Sequence, residues 1–212
     1  MLHPDQEETK LRLLGAAGEV FAEKGFQRGT IRDICARAGT NVASVNYHFG
    51  GKSGLYEALL EHCHQEGMRR HPPTEGLTDE SEAEEALASF IRSFLFRTLA
   101  DDNPAWSTKL MAKGMGEPSP ALSRLVQSSV RPNMERLMGM VAAILGEGAD
   151  QEDVRHCALS VVGQCQHYYR CRAAIEMLFP DVTWDAPGID KLSRHILKFS
   201  LAAMRGYRQE GS

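Results

Sequence analysis

Residues 30–56 restrict the folds open to this chain more than any other segment. From Ile31, apolar side chains recur at i, i+3, i+4 and i+7, which is the spacing of an amphipathic helix with one buried face. Thr30 is a suitable N-cap for that helix, and Asp33 lies in its first turn, where a negative charge interacts favourably with the helix dipole. Gly39 ends the helix. The first part of the segment therefore predicts a short packed helix followed by a turn.

A second short helix, from about residue 42 to 48, follows the glycine, and a further helix opens just after Lys52. Val45 and Phe49 are expected to form its buried face, because Ala43 is too small to do so. The outer face carries side chains that suit base edges and phosphate oxygens better than a protein core: Asn41, Ser44, Asn46, Tyr47 and His48. This layout is that of a helix-turn-helix, with a recognition helix for the DNA major groove.

The charge distribution agrees with DNA contact by this segment, although the chain as a whole is acidic. Its formal net charge is −4, whereas residues 24–56 hold five basic side chains and a single acid, a local net charge of +4. A local basic patch is sufficient for phosphate contact, because distant charges are largely screened. Arg28, Arg32 and Arg37 belong to the patch, and an exposed charge without a DNA partner is the alternative interpretation of each.

Composition indicates a globular protein of the cytoplasm. Of the 212 residues, 42% are hydrophobic and 25% charged, no apolar run is long enough to cross a bilayer, and the polar, acidic N-terminus is unlike a signal peptide. Five cysteines without a CxxC pair favour a reducing compartment. Cys157, Cys165 and Cys171 have histidines nearby in sequence, but buried cysteines at a helix interface are the preferred interpretation. No metal and no cofactor is therefore expected.

Helical spacing continues through the rest of the chain, without a convincing strand, which predicts an all-α protein. Residues 71–76 contain two prolines and a glycine and cannot continue a helix. We therefore predict a helix-turn-helix domain over residues 1–52, a connecting helix and linker over 53–78, and a larger helical bundle over 79–212.

The sequence also predicts four details of the helices. Ser53 is a candidate cap for the helix after Lys52, and Pro132 is a candidate kink in a helix over about residues 118–145. A single helix is expected over about 150–178. The last helix is expected to bury one stripe, made of Ile189, Leu192, Ile196, Phe199 and Ala203.

Several spaced motifs together resemble the TetR family of bacterial transcriptional regulators. They occur in order within residues 10–65: Phe21-Ala-Glu-Lys-Gly-Phe26, Thr30-Ile-Arg-Asp-Ile-Cys-Ala-Arg-Ala-Gly39, Tyr47-His-Phe49 and Lys52-Ser-Gly-Leu-Tyr56. The C-terminal part resembles the branch with a CecR-like effector-binding and dimerisation domain, through Glu117-Pro118-Ser-Pro120-Ala-Leu122, Ser160-Val-Val-Gly163-Gln164 and His195-Ile196-Leu-Lys-Phe199.

The resemblance implies a role for each residue that matches the DNA-binding motif. Val42, Ala43 and Asn46 fall where the family contacts bases, and Asn46 replaces the aromatic residue often found at its position. Phosphate contacts are implied for a second set: Thr30, Ser44, Tyr47, His48 and Lys52. From the residues alone, a solvated histidine is nearly as well supported for His48 as a phosphate contact.

The resemblance also implies a homodimer that reads a palindromic double-stranded operator and releases it when a small molecule binds the C-terminal bundle. We expect the last two helices to form the dimer contact. The effector pocket is expected among side chains that could equally form ordinary core: Phe94, Trp106, Met111, Met138, Gln164, His167 and Tyr168. Gln164 needs a polar partner, which could be the effector, the second subunit or a neighbouring side chain.

Two other classes of function compete with that of a ligand-responsive repressor. The chain contains no GxSxG, HExxH or P-loop motif and no GxGxxG after a strand, so it is not expected to be an enzyme, and no catalytic residue is assigned. A helical adaptor that binds only protein would show no salt-sensitive affinity for DNA.

Overall fold

The computed structural model describes residues 4–78, 81–102, 104–116 and 118–210, and within them the side chains of 5–207. Every regular element in these ranges is a helix, so the all-α prediction is confirmed. The helices are α1 (Pro4–Arg28), α2 (Ile31–Ala38), α3 (Val42–Phe49), α4 (Lys52–Arg70), α5 (Ala83–Leu99), α6 (Ala105–Gly116), α7 (Pro120–Leu125), α8 (Arg131–Leu145), α9 (Gln151–Arg170), α10 (Arg172–Leu178) and α11 (Ala186–Glu210). None of the described helices is long and apolar enough to cross a membrane.

The helices pack as two compact units. The first contains the chain up to Glu66 together with Pro104–Val130, and the second contains Gly67–Asp102 together with the chain from Arg131. We call them the N-terminal unit and the bundle unit. Packing alone assigns no function to a segment, so the division at residues 52 and 78 stays a prediction.

The core of the N-terminal unit gathers one apolar face from each of its helices. Fully buried members include Leu13 and Phe21 of α1, Ile34 of α2, Val45 of α3 and Leu55 of α4. Helices α2 and α3 have only eight residues each, so their position depends on packing against the other helices rather than on intrinsic helix stability.

Helix α1 loses its regular geometry at Gly25, before its last turn. Gly25 adopts φ 75° and ψ 165°, and its carbonyl accepts a hydrogen bond from the Gly29 amide at 3.0 Å. A positive φ of this kind is open to glycine at little cost, whereas a side chain would be strained there. The turn brings the chain from α1 to the start of α2.

Helix α5 is the centre of the bundle unit, where it packs against α8, α9 and α11. Its residues Leu87, Ile91 and Leu95 are fully buried, and so are Leu137 of α8 and Ala158 of α9. Contacts with three neighbouring helices hold the apolar side of α5 in the interior of this unit, while Glu84 and Glu85 stay exposed.

The structure corrects several helix details. The region 150–178 is two helices, because Cys171 leaves the helical conformation at φ −103° and ψ 13°. Ser53 is the second residue of α4 rather than its cap. Helix 118–145 is interrupted by a π-helical turn, Val126–Val130, one turn before Pro132, whose ring would clash with a carbonyl of the preceding turn.

The predicted stripe of α11 is also wrong in part. Ile189 and Ile196 are buried, but Phe199 is 60% exposed and Ala203 is exposed. The buried stripe instead continues through Ser193, Ser200 and Met204. Small serine side chains allow the close approach of neighbouring helices, so two polar residues can lie on the buried face beside Ile189, Ile196 and Met204.

Candidate nucleic-acid interface

Helix α2 is held at both ends by side-chain hydrogen bonds. The Asp33 amide donates to Thr30 Oγ1 at 3.1 Å, and the Thr30 amide donates to Asp33 Oδ2 at 3.2 Å, which is a capping box. At the other end Arg12 of α1 donates to the carbonyl of Ala38 at 2.8 Å and to that of Gly39 at 3.2 Å. The orientation of α2 on α1 is therefore set by polar contacts as well as by its core face.

Two of the five basic side chains in residues 24–56 are paired with carboxylates. Lys24 Nζ lies 3.0 Å from Asp33 Oδ2, and the hydrogen bonds from Lys24 and then from Thr30 lower the pKa of Asp33. Arg37 bridges to Glu19 and Glu23 of α1, each at 3.1 Å, and the hydrogen bond with Glu23 raises the pKa of Arg37. Arg37 thus joins α2 to α1.

The other three bases of this segment carry the charge that remains for a partner. Within the part of the chain that the structure describes, no ion pair includes Arg28, Arg32 or Lys52. The positive charge beside α3 is therefore smaller than the sequence count suggests, but it is not cancelled.

Helix α3 begins with a polar network. Asn41 is its N-cap, and Asn41 Oδ1 accepts from the Ser44 amide at 3.0 Å and from the Ser44 hydroxyl at 3.3 Å. The Thr40 hydroxyl donates to Ser44 Oγ at 3.0 Å. Gly50, in the left-handed conformation, ends the helix. Helix α3 is therefore fixed at both ends, with Ser44 already engaged within the protein.

The outer side of α3 is one continuous exposed strip. It contains Val42, Ala43, Asn46 and Tyr47, of which Val42 is 42% and Tyr47 70% exposed. Val45 is fully buried on the opposite side. Large apolar and aromatic side chains exposed together with an amide are typical of a binding surface. All three predicted base-reading residues lie on this strip.

The predicted phosphate-contact residues surround the strip but differ in freedom. Tyr47 and His48 stack edge to face, with ring centroids 4.9 Å apart, and His48 is half-buried. Lys52 Nζ donates to the carbonyl of Gln27 at 3.0 Å and lies 4.7 Å from the ring centroid of Phe26. An ammonium has three donors, so Lys52 keeps two for a phosphate while its stem ties α4 to the end of α1.

Two family models match this chain, one on each part. The model described as bacterial regulatory proteins, tetR family, matches residues 13–59, which contain α2 and α3. The model of the C-terminal domain of the HTH-type transcriptional dual regulator CecR matches residues 83–204, more than half of the chain.

The chain belongs to the TetR family. Members of this family are DNA-binding transcriptional regulators rather than enzymes, and they dimerise.

Named relatives agree with this assignment, and a solved structure shares the fold. The chain is 28% identical over 127 residues to the regulator SrpR of Pseudomonas putida. The matched stretch covers 60% of this chain and 57% of SrpR, so the chain spans little more than half of that relative. It is 27% identical over 158 residues to the dual regulator CecR of Shigella flexneri, covering 70% of this chain and 69% of CecR. The fold resembles the regulator FadR of Bacillus subtilis, solved in complex with stearoyl-CoA, with a TM-score of 0.65, 18% identity and coverage of 90% and 97%.

The residues predicted for an effector pocket of this TetR-family regulator are divided between the two units. Trp106 and Met111 are half-buried against the core of the N-terminal unit. The other five lie in the bundle unit, where Phe94, Met138 and Tyr168 pack against its core. His167 is exposed, and its Nδ1 lies 3.7 Å from Cys171 Sγ. The pocket stays a prediction.

Gln164 has a partner within its own chain. Its Nε2 donates to Ser200 Oγ of α11 at 3.2 Å and to the Ser160 carbonyl at 3.4 Å. The sequence left three possible partners open for Gln164, and the structure shows one of them, a neighbouring side chain.

Sequence reasoning missed two residues that position the helix-turn-helix of this TetR-family chain. Asn41 is placed by its pattern on the outer face of α3, but it acts as the cap. Its position directly before Val42 was a usable signal, because asparagine is a favoured N-cap. Arg12 had no such signal, since its contact with the end of α2 depends on how α1 and α2 cross.

Proposed function

We propose that this regulator is a repressor that binds a palindromic operator as a homodimer and leaves it when a small molecule binds the bundle unit. The observation that carries the DNA-reading part is the exposed strip of α3, Val42, Ala43, Asn46 and Tyr47, on a helix capped at both ends. A rigid helix with exposed apolar and amide groups is what major-groove readout needs. A DNA partner also places the protein in the cytoplasm.

In the proposed complex the strip divides base reading from phosphate contact. The Asn46 amide can pair with adenine through two hydrogen bonds, and Val42 and Ala43 can pack on thymine methyl groups. Tyr47 and Lys52, at the edge of the strip and at the start of α4, reach the phosphates, together with Thr30, Ser44 and His48. Phosphate contacts fix the position of the protein on the duplex and carry no sequence information.

A mobility-shift titration on the DNA upstream of this gene, at two salt concentrations, tests the assignment. Lys52→Ala should weaken binding to every sequence and lower the salt slope by about one phosphate equivalent, roughly 0.9 in log units. Tyr47→Ala should weaken binding to every sequence, and Asn46→Ala should change the preferred sequence, with a discrimination loss of about 1–3 kcal/mol.

Lys191→Ala is the matched control, because Lys191 is an exposed lysine of α11 in the bundle unit. It removes the same charge far along the chain from α3 and should leave the salt slope unchanged. An unchanged slope in Lys52→Ala as well would contradict the phosphate assignment.

The dimer surface that we propose consists of the exposed faces of α9 and α11. Leu159 of α9 is 51% exposed and Phe199 of α11 is 60% exposed. Small exposed residues neighbour them, Gly163 on α9 and Ala203 on α11. Small residues let facing helices approach, and large apolar ones supply the buried area, so the two faces suit a helical interface between copies.

Light scattering on purified variants tests this surface. Leu159→Asp and Phe199→Asp should shift the protein towards monomer, because a carboxylate would be buried without a partner. Leu11→Asp, at a 49% exposed leucine of α1, is the control with the same chemical change and should remain dimeric. Dimers that survive both α9 and α11 substitutions would rule out this interface.

The effector is proposed to bind one conformation of the protein better than another and so shift the DNA-competent population. FadR of the same fold binds stearoyl-CoA, which supports a small organic effector here without identifying it. Release of the labelled operator by a candidate compound, and loss of that release in Phe94→Ala and Tyr168→Ala, would test the proposed pocket. Phe94 and Tyr168 are chosen because both lie in the bundle unit.

A further inference from the structure

A cleft of about 450 Å³ opens within the N-terminal unit, behind the helix-turn-helix. Its walls come from the end of α1, the first turns of α4, the end of α6 and the start of α7. A cleft of this volume is large enough for a small organic molecule. None of its lining residues belongs to the predicted DNA contacts or to the predicted effector pocket.

The charged groups around the cleft leave two cations available. Lys24 is paired with Asp33 at 3.0 Å, and Glu57, the carboxylate in the wall, is paired with Arg124 at 2.7 Å. Arg28 uses one donor, its Nε, on a backbone carbonyl of its own helix at 3.3 Å. Within the described residues no ion pair includes Arg28 or Lys113, so the cleft is positively charged.

Gly25 is what leaves space for the Lys113 ammonium. A Cβ built on Gly25 would lie 2.9 Å from Lys113 Nζ. The ammonium of α6 therefore rests against the turn that ends α1, in the same cleft wall as Arg28. Two cations from different helices, both facing one concave surface, favour a ligand that carries negative charge.

The remaining wall is aromatic and apolar. The rings of Phe26 and Tyr56 pack with centroids 4.8 Å apart at an angle of 45°, and both line the cleft. Pro118 and Pro120 contribute further apolar surface. The cleft thus places ring faces and aliphatic carbon beside its cations, a combination that suits an anion with an apolar body better than a bare inorganic ion.

We propose that this cleft is a second small-molecule site, which binds an aromatic carboxylate or phosphate through Arg28 and Lys113. The site is separate from the effector pocket proposed for the bundle unit. Arg28 lies two residues before Thr30, the cap of α2, so the bound anion neutralises charge next to the DNA-reading helices and lowers affinity for the operator phosphates.

Binding of benzoate and phenyl phosphate to the full-length protein, measured by calorimetry, tests the site without DNA. The wild type should bind at least one of them, and Lys113→Gln and Arg28→Gln should each weaken binding by about tenfold or more, because each removes a charge-assisted contact. Lys109→Gln is the matched control, an exposed lysine earlier in α6 that is not part of the cleft wall, and should bind like the wild type. Circular dichroism checks that each variant is folded.

Three results would overturn the proposal. The first is the absence of binding by both probes at millimolar concentration. The second is equal weakening in Lys113→Gln and Lys109→Gln, which would mean a general charge effect. The third is a Lys113→Gln variant that binds operator DNA less tightly and with a lower salt slope, because the cleft would then hold a DNA phosphate.

Discussion

Replacing Gly18 by alanine tests how closely α6 is attached to α1. Gly18 is buried, and a Cβ built there would lie 2.3, 2.4 and 2.6 Å from Cζ3, Cε3 and Cη2 of Trp106. Carbon atoms in contact prefer about 3.5–4.0 Å, so the indole ring would have to withdraw by roughly 1 Å. Trp106 is half-buried against the core of the N-terminal unit, so its withdrawal would loosen α6 on α1.

Two effects of opposite sign decide the stability of the Gly18→Ala variant. Alanine is more stable than glycine inside a helix by about 0.5–1 kcal/mol. Overpacking a filled site costs about 1–3 kcal/mol. The expected result is a fall in the free energy of unfolding of roughly 0–2.5 kcal/mol.

Gly15 of the same helix supplies a control that isolates the packing cost. A Cβ built on Gly15 meets no atom within 4 Å, so Gly15→Ala should stabilise the protein by about 0.5–1 kcal/mol. The difference between the two variants, about 1–3 kcal/mol, then measures the clash with Trp106 alone.

Urea unfolding at one fixed protein concentration is the assay, because dimerisation makes apparent stability depend on concentration. A Trp106→Leu background should remove the difference between the Gly18→Ala and Gly15→Ala variants, as a double-mutant cycle requires. If Gly18→Ala stabilises the wild type as much as Gly15→Ala does, the close packing of α6 on α1 is refuted.

Three further predictions concern single side chains. Arg12→Met should lower the free energy of unfolding by about 0.5–1.5 kcal/mol in urea titrations, because the carbonyls of Ala38 and Gly39 lose their donor. An unchanged free energy of unfolding would show that water replaces the arginine as the donor. Asp33 has a lowered pKa in the folded protein. The stability that its carboxylate contributes is therefore present above the ordinary aspartate pKa of 3.8 and is lost as the pH falls below that value. Asp33→Asn should therefore be less stable than the wild type at neutral pH and not in strong acid, and a gap that persists in thermal melts in acid would contradict this. Burial raises the pKa of Cys63 to about 11 and that of Cys165 to about 12, so both thiols should react slowly. Mass spectrometry after brief alkylation of the native protein should find the half-buried Cys171 modified before either of them. Early labelling of Cys165 would show that the core of the bundle unit opens.

The helix-turn-helix could be predicted because its determinants are local. The spacing from Ile31 to Ala38, the cap Thr30 and the stop at Gly39 lie within ten residues, and the structure has each where the sequence places it. The strip of α3 follows from the same periodicity, once one face is assigned to Val45.

The stripe of α11 could not be predicted for a physical reason. Periodicity detects apolar side chains, but it does not say whether they face the chain's own core or a second copy. Phe199 and Ala203 fit the apolar pattern and are exposed, while Ser193 and Ser200 are polar and buried. When one side of a helix packs on the chain's own core and another side forms an interface, apolar residues occur on both sides, and periodicity does not distinguish between them.

The attachment of α6 to α1 likewise lies outside any local pattern. Two glycines of α1 lie against side chains of α6. Gly18 lies under the Trp106 ring, and Gly25 lies beside the Lys113 ammonium. In the sequence each glycine suggests only weakness in a helix or its end, because the partner lies far along the chain. In the structure Gly18 lets the Trp106 ring of α6 pack closely on α1, so a displacement of α6 must either move α1 or separate this contact. Arg12 and Arg37 hold α2 on α1. A ligand that binds elsewhere in the N-terminal unit can therefore affect α3 by moving α6, and with it α1 and α2.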